Sequence, residues 1–456
     1  MDKNQITRRA FLAASTTSAV LAGCATSPKP NTAKVVPGKV SPNQKVNVAC
    51  IGGGGKGLDD MMNAKKAGAN IVAIADPDWK RAAEGFYRCK DAKQFKDYRK
   101  MLDEMGKDID ACTVSTPDHT HAPAAYRVMK SGKHVYCQKP LTHTIAEARL
   151  LRKVAKETGV VTQMGNQGHC GVGVRELCEM MWSGVIGDVK EAHVWTNRPI
   201  WPQGIAAPLP EEPVPADMEW DLWIGTAPTR AYNSKYAPFN WRGWWDFGCG
   251  AIGDMACHIF DAAFWSLNLI EAETFTAQSI VSEGMTDQCP PLKSTIKIDF
   301  PARGKMCPVS VYWHDGGILP DRPKDIPADQ KIGDGDNGSL FIGSKGYLTA
   351  GEYGGHPRLL PDEKMVDYKK PAPSIKRVSH NDPYYDWIEC IQNGGKTASN
   401  FDYASPLTVV ANFGNVALHA KGEPLVYDVK NGKVTNNAKL NALLTKEYRK
   451  GWELPV

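Results

Sequence analysis

Within residues 46–76 the chain reads "VNVACI", "GGGGKG", "LDDMMNAKKAG" and "NIVAIAD" in that order: apolar run, glycine turn, amphipathic stretch, apolar run. No other feature restricts the fold as much. Gly52, Gly54 and Gly57 fit the spacing G-x-G-x-x-G. In such a turn the first glycine permits the tight bend, the second lets the backbone approach a pyrophosphate, and the third packs helix on strand. The free N–H groups of the helix start then face the phosphates. Asp76 ends the second apolar run about twenty residues on, where a carboxylate accepts bonds from a ribose hydroxyl. The same charge repels a 2′-phosphate, so the pattern predicts NAD rather than NADP, a preference tempered by Lys80 and Arg81 close by.

Further apolar runs at "DIDACTVST" and "HVYCQKP" alternate with helical stretches. That alternation predicts an α/β, doubly wound parallel sheet, a Rossmann domain over residues 46–167. Beyond it the pattern changes. Ile296, Ile298 and Phe300 alternate with Lys297 and Asp299, and Val309, Val311 and Trp313 with Ser310 and Tyr312, which predicts half-buried strands in an α+β domain over 168–456. The long "DGGILPDRPKDIPADQKIGDGDNG" segment reads as a loop at the edge of a cleft, and two helices at the end, "NDPYYDWIECIQNGGK" and "DYASPLTVVANFGNVALHAKG", read as closing the second domain.

Two further stretches, "STPDHTHAPAAYRVMKSGKHVYCQKPLT" and "GCGAIGDMACHIFD", give the chain its resemblance to the glucose-fructose oxidoreductase, inositol dehydrogenase and rhizopine catabolism (Gfo/Idh/MocA) family. Thr116, Pro117 and His121 match its TPxxxH segment after the fourth strand, and Lys139 and Pro140 match the last two residues of its EKP motif. The resemblance implies a large open, mostly antiparallel sheet in the second domain, a homo-oligomer, and a role for Lys139 beside nicotinamide and substrate. Gln138 stands where the family has glutamate, and a neutral neighbour leaves the charge and orientation of the lysine less fixed.

Asp254 and His258 are spaced i, i+4, which on a helix puts both side chains on one face. Oxidising a secondary alcohol needs a base for the hydroxyl proton, and imidazole titrates near neutral pH. His258 is therefore the candidate base, matching the family's histidine, with Asp254 orienting substrate or imidazole and Asp261 as a second partner. Seven of the thirteen tryptophans lie between Trp195 and Trp245. Aromatic faces stack on the C–H face of a pyranose, but each ring fits a core position equally well. Trp201 and Trp241 have loop-forming neighbours and are the candidate substrate residues, with Arg198 and Arg242 for hydroxyls. His169 and Arg175, after the last Rossmann strand, are candidates for the same cleft.

Residues 1–23 carry a leader: twin arginines in "TRRAFL", a weakly apolar run too short for a permanent membrane span, and "LAGC" ending at Cys24, which resembles a lipoprotein cleavage site. Residues 24–45 read as a tether. The expectation is twin-arginine export to the periplasm, with lipidated Cys24 the sole membrane attachment. The other eleven cysteines lack CxxC or metal-ligand spacing and read mostly as small buried hydrophobes. A net charge of +5 without a basic tract excludes a nucleic-acid footprint.

Three functions fit: an NAD-dependent oxidoreductase acting on a ring hydroxyl of a sugar or glycoside, C3 by preference; an NAD-dependent glycoside hydrolase working through transient oxidation and elimination; and a non-catalytic sugar-binding lipoprotein. Retention of Lys139, Asp254 and His258 argues against the last.

Overall fold

Strands buried on both faces read as continuous apolar runs, and parallel pairing follows when each is joined to the next through a helix. The computed structural model describes residues 40–41 and 43–456; the twin arginines, Cys24 and most of the tether lie outside the described residues. Strands β1 (Asn47–Ile51), β2 (Asn70–Ala75), β3 (Lys93–Phe95), β4 (Ala111–Val114), β5 (His134–Cys137) and β6 (Thr162–Met164) form one parallel sheet in the order β3-β2-β1-β4-β5-β6. The order reverses beside β1, and that switch point opens a crevice at the carboxyl ends of β1 and β4.

A second, nine-stranded sheet follows from β7 (Val189–Trp195), β8 (Thr274–Glu283), β9 (Lys293–Phe300), β10 (Val309–His314), β11 (Gly338–Gly343), β12 (Gly346–Ala350), β13 (Arg358–Leu360), β14 (Leu425–Asp428) and β15 (Lys433–Val434). Its order is β13-β12-β11-β7-β10-β9-β8-β14-β15, antiparallel throughout except where β10 runs parallel to β7. Ile296, Ile298, Phe300, Val309, Val311 and Trp313 are buried and their alternating neighbours partly exposed. On the inner face lie helices Gly250–Ser266 and Phe401–Leu418, apolar on nearly all sides and therefore interior.

Two expectations change. The helix Pro383–Asn393 does not close the second domain. Tyr384, Trp387, Ile388 and Ile391 share a core with Val46, Val48 and Cys50 of the Rossmann sheet, and Tyr384 stacks on Tyr136 with ring centroids 4.8 Å apart. An amphipathic pattern states that a face is buried but not against which partner. The long loop between β10 and β11 does not line the cleft; its Ile326 is buried with Trp195, Leu340 and Leu360 against the large sheet. Every described cysteine is unpaired, nine of them buried.

The glycine turn is sterically committed. Gly52 has φ +93°, and a Cβ there would collide with the Ser115 carbonyl at the end of β4. Gly52→Ala is therefore expected to cost roughly 2 kcal/mol from the backbone conformation alone. A lowered thermal midpoint in scanning calorimetry checks this; an unchanged one contradicts the tight-turn geometry.

Candidate active site

The crevice deepens into a cavity of about 590 Å³, a size suited to small-molecule ligands. Its floor is the glycine turn, its near wall the carboxyl ends of β2, β4 and β5, and its far wall comes from the second domain. Trp79 N–H donates to the Asp217 carbonyl at 3.0 Å and Glu219 N–H to that of Pro77 at 2.8 Å, laying the chain so that Trp223 reaches the cavity. Phe239, Trp241 and Arg242 line it further along, and Trp452 near the carboxyl end of the chain lines it as well.

The residues present fit a dinucleotide. A Cβ on Gly54 would strike the Arg81 backbone and one on Gly57 the Gly52 carbonyl, so the turn stays narrow over the helix Lys56–Lys66. Asp76 lines the cavity, though not on an exposed rim: it is 8% exposed and accepts from the N–H groups of Gly53 at 2.8 Å and Asp78 at 2.9 Å. Burial pushes its carboxyl up to about 6 against those donors. It therefore braces the turn as well as offering oxygens to a ribose.

At the other end Lys139, leaving β5, meets Asp254 on the helix Gly250–Ser266. The Lys139 ammonium donates to Asp254 Oδ1 and to its backbone carbonyl, each at 2.9 Å, and Arg242 Nε donates to the same Oδ1 at 3.1 Å. Burial raises the Asp254 carboxyl, but the two cations outweigh it and hold the group well below the usual carboxylate range. Asp254 thus orients Lys139 and Arg242, not the imidazole. Gly248 makes this possible, because a Cβ there would run into the Arg242 backbone at 2.6 Å.

His258, one turn on, lines the cavity with Nδ1 free of any hydrogen bond and its ring edge-on to Tyr353, centroids 4.9 Å apart. Burial, then the Lys139 ammonium, hold the imidazole well below its ordinary value while Asp254 pulls the other way. At neutral pH the ring is uncharged with Nδ1 open to a donor, and it is a weaker base than the near-neutral imidazole the sequence suggests. Tyr353, which the sequence reading missed, sits at φ +61° between β12 and β13.

Gly52, Gly54, Asp76, Thr116, Pro117, Gln138, Lys139, Trp241, Arg242 and His258 all line the cavity. Other candidates do not. His121 bonds between the Pro140 and Thr116 carbonyls, 2.8 Å from each. A neutral ring has one N–H for two acceptors, yet burial prevails and pushes the imidazole down to about 4. It ties the two loops behind the site. His169 and Asp261 pair with each other at 2.9 Å, and Tyr403 donates to Asp261 at 2.6 Å, so Asp261 serves His169 rather than His258. Arg175 is 2% exposed and donates to the carbonyls of His169, Gly171 and Lys376. Arg198 bonds to Asn197, and Trp201 donates to Gln203 and packs edge-on to Phe239. Of the tryptophan group, Trp220 and Trp244 are core, whereas Trp223 and Trp241 are both buried and cavity-lining.

Residues 46–166 match the model for the oxidoreductase family, NAD-binding Rossmann fold, and residues 174–281 match that for the oxidoreductase family, C-terminal alpha/beta domain, both of the Gfo/Idh/MocA group. The chain belongs to the Gfo/Idh/MocA oxidoreductase family. Its Rossmann domain is the NAD-binding domain of that family. Scyllo-inositol 2-dehydrogenase (NAD(+)) of Bacillus subtilis is 33% identical over 98 residues, covering 22% of this chain and 28% of that one. The alpha-N-acetylgalactosaminidase of Shewanella oneidensis is 30% identical over 209 residues, covering 41% and 45%. The chain spans less than half the length of either relative. Among solved structures, the WlbA dehydrogenase of Bordetella pertussis in complex with NADH and UDP-GlcNAcA superposes with a TM-score of 0.57 at 16% identity, covering 84% of this chain and 98% of that one. A levoglucosan dehydrogenase in complex with NADH gives 0.56 at 17%, covering 85% and 99%. These two likenesses bear on the fold.

Asp118 lies inside the TPxxxH segment, at a position the motif leaves open. It lines the cavity at 1% exposure, its Oδ2 accepting the Cys249 N–H at 3.1 Å and its Oδ1 unpartnered. Burial and then Asp254 push the carboxyl up to about 7 against Arg242 and Lys139. A raised acid is protonated in the fold while ionised in the unfolded chain, so it lowers stability as pH rises from about 4 to about 7, by roughly 1.4 kcal/mol per unit. Asp118→Asn should therefore gain on the parent protein across that window in urea titrations. A difference that does not change with pH means Asp118 is ionised in the fold.

Proposed function

We propose that this family member oxidises a ring hydroxyl, at C3, of a sugar or glycoside. The observation that carries the reading is the convergence of Lys139, fixed by Asp254, and the uncharged His258 on the cavity that the glycine turn floors. Bound NAD supplies the hydride acceptor. Lys139 keeps one ammonium proton for the reacting oxygen, since Asp254 accepts the other two through its Oδ1 and its backbone carbonyl. His258 takes the hydroxyl proton as the carbon gives up its hydride. Trp241, with the Arg242 guanidinium 4.2 Å over its ring, offers an apolar face to the sugar and a donor to its hydroxyls.

The similarity to an alpha-N-acetylgalactosaminidase supports a second reading. A C3 ketone acidifies the C2–H; loss of that proton expels the group at C1, water adds, and the carbonyl is reduced again. Either reading suits an exported enzyme. Twin-arginine export carries folded chains, so the protein leaves with NAD bound, is anchored through Cys24 in the periplasm, assembles as a homo-oligomer, and restores its cofactor within each cycle.

The mature protein, purified and denatured without added cofactor, is expected to release NAD(H); an empty supernatant overturns the export of bound cofactor. With a panel of glycosides and a keto-sugar acceptor, a keto-glycoside with its linkage intact is the expected product. Free sugar and aglycone from every active substrate would establish the hydrolase instead, and binding without turnover the non-catalytic reading. His258→Ala should lose on the order of 100- to 10,000-fold in turnover with NAD retained. Near-normal turnover removes His258 from the mechanism.

A further inference from the structure

Asp60 lies in the helix directly after the glycine turn and is 0% exposed. A carboxylate in that position survives only among donors, and it has four. Ser115 Oγ donates to Oδ2 at 2.5 Å, Gln138 Nε2 to both oxygens at 3.0 and 2.9 Å, the Tyr384 hydroxyl to Oδ1 at 2.6 Å, and the Lys56 ammonium lies 2.6 Å from Oδ1. They come from the ends of β4 and β5, the helix Pro383–Asn393, and the first turn of the helix carrying Asp60. Lys56, Ser115 and Gln138 also line the cavity.

The amide of Gln138 has one orientation that fits. With Nε2 committed to Asp60, its Oε1 turns to the Lys139 backbone N–H at 3.4 Å. Gly165 closes the other side, where a Cβ would come within 2.6 Å of Nε2. A glutamate at position 138 would offer no donor, and two carboxylates at that distance cannot both ionise.

We propose that Asp60 is a positioning residue for the Lys139 side of the active site: it holds, behind residue 138, the negative charge that the family's EKP glutamate carries itself, and through the Gln138 amide it fixes the start of the Lys139 segment against the cavity. The inference rests on the reading of Lys139 as a substrate-contacting group. It accounts for glutamine at position 138 by the presence of aspartate at position 60.

The test compares the parent holoprotein with Gln138→Glu, Asp60→Asn and the double variant Asp60→Asn/Gln138→Glu. Two quantities are read from pH 6 to 9: the fraction of chains that keep NAD through gel filtration, and the rate at which a turned-over glycoside reduces that bound NAD. In Gln138→Glu the two carboxyls share one proton at the acid end. The rate there stays near that of the parent and falls about tenfold per pH unit once the proton is lost. The double variant again has one acid and one amide, so its rate at pH 8 should exceed that of Gln138→Glu at least tenfold. A purely structural role for Asp60 would lower the melting temperature of the single variants without changing the shape of the pH profile. A parent-like profile in Gln138→Glu, or a double variant no faster at pH 8 than the slower single variant, overturns the proposal. If the parent reduces no NAD with any glycoside, the functional reading fails. NAD retention then decides this inference: loss in Gln138→Glu at pH 8 with recovery in the double variant supports it, and equal retention overturns it.

Discussion

The arrangement of the site depends on one buried ion pair, between Lys139 and Asp254. Lys139 leaves the carboxyl end of β5 in the Rossmann domain, and Asp254 stands on the helix that covers the large sheet. Both side chains are mostly withdrawn from water, and Arg242 adds a second cation to the same oxygen. Such a group adds little net stability over an apolar substitute, but loss of one member leaves an uncompensated buried charge. Its main effect is on position. With Asp254 held, the helix has one rotation, His258 follows one turn later, and the nucleotide-binding wall and the substrate wall keep a fixed relation.

Asp60 acts one residue back, on Gln138. It gathers donors from the helix after the glycine turn, from the ends of β4 and β5, and from the helix Pro383–Asn393, whose Tyr384 stacks on Tyr136 of β5. Two buried carboxylates thus bear on the Lys139 segment. One bonds its ammonium directly, and the other acts through the amide of the residue before it.

How far the sequence reveals this follows from the range of each signal. The glycine turn, the strands around it and the alternation in β9 and β10 are local patterns, and their physical causes act within a few residues. Lys139, Asp254 and His258 are legible because they lie in motifs of one family. The partners of Asp261 were not, since His169 and Tyr403 come from segments 92 and 142 residues away. The helix containing Tyr384 shows an apolar face without showing that it crosses to the Rossmann core. In the sequence Asp60 is one of two adjacent acids, and only the fold shows that Asp59 is exposed while Asp60 is enclosed. The tryptophan group divided along a line composition cannot draw, because a ring such as Trp241 can be packed on one side and line a cavity on the other.

The chemistry proposed for the site has a narrow requirement. Lys139 and His258 must act on the same hydroxyl-bearing carbon, with NAD held by the glycine turn and Asp76 close enough to receive the hydrogen that carbon loses. The most direct measurement is a single turnover of the holoprotein with substrate deuterated at C3, followed by mass spectrometry of the released cofactor. The account predicts NADH one mass unit heavier, carrying the deuterium on its nicotinamide ring. Unlabelled NADH, or deuterium recovered only when another ring carbon is labelled, would contradict the assignment of C3 and the placement of the reacting carbon between Lys139 and His258.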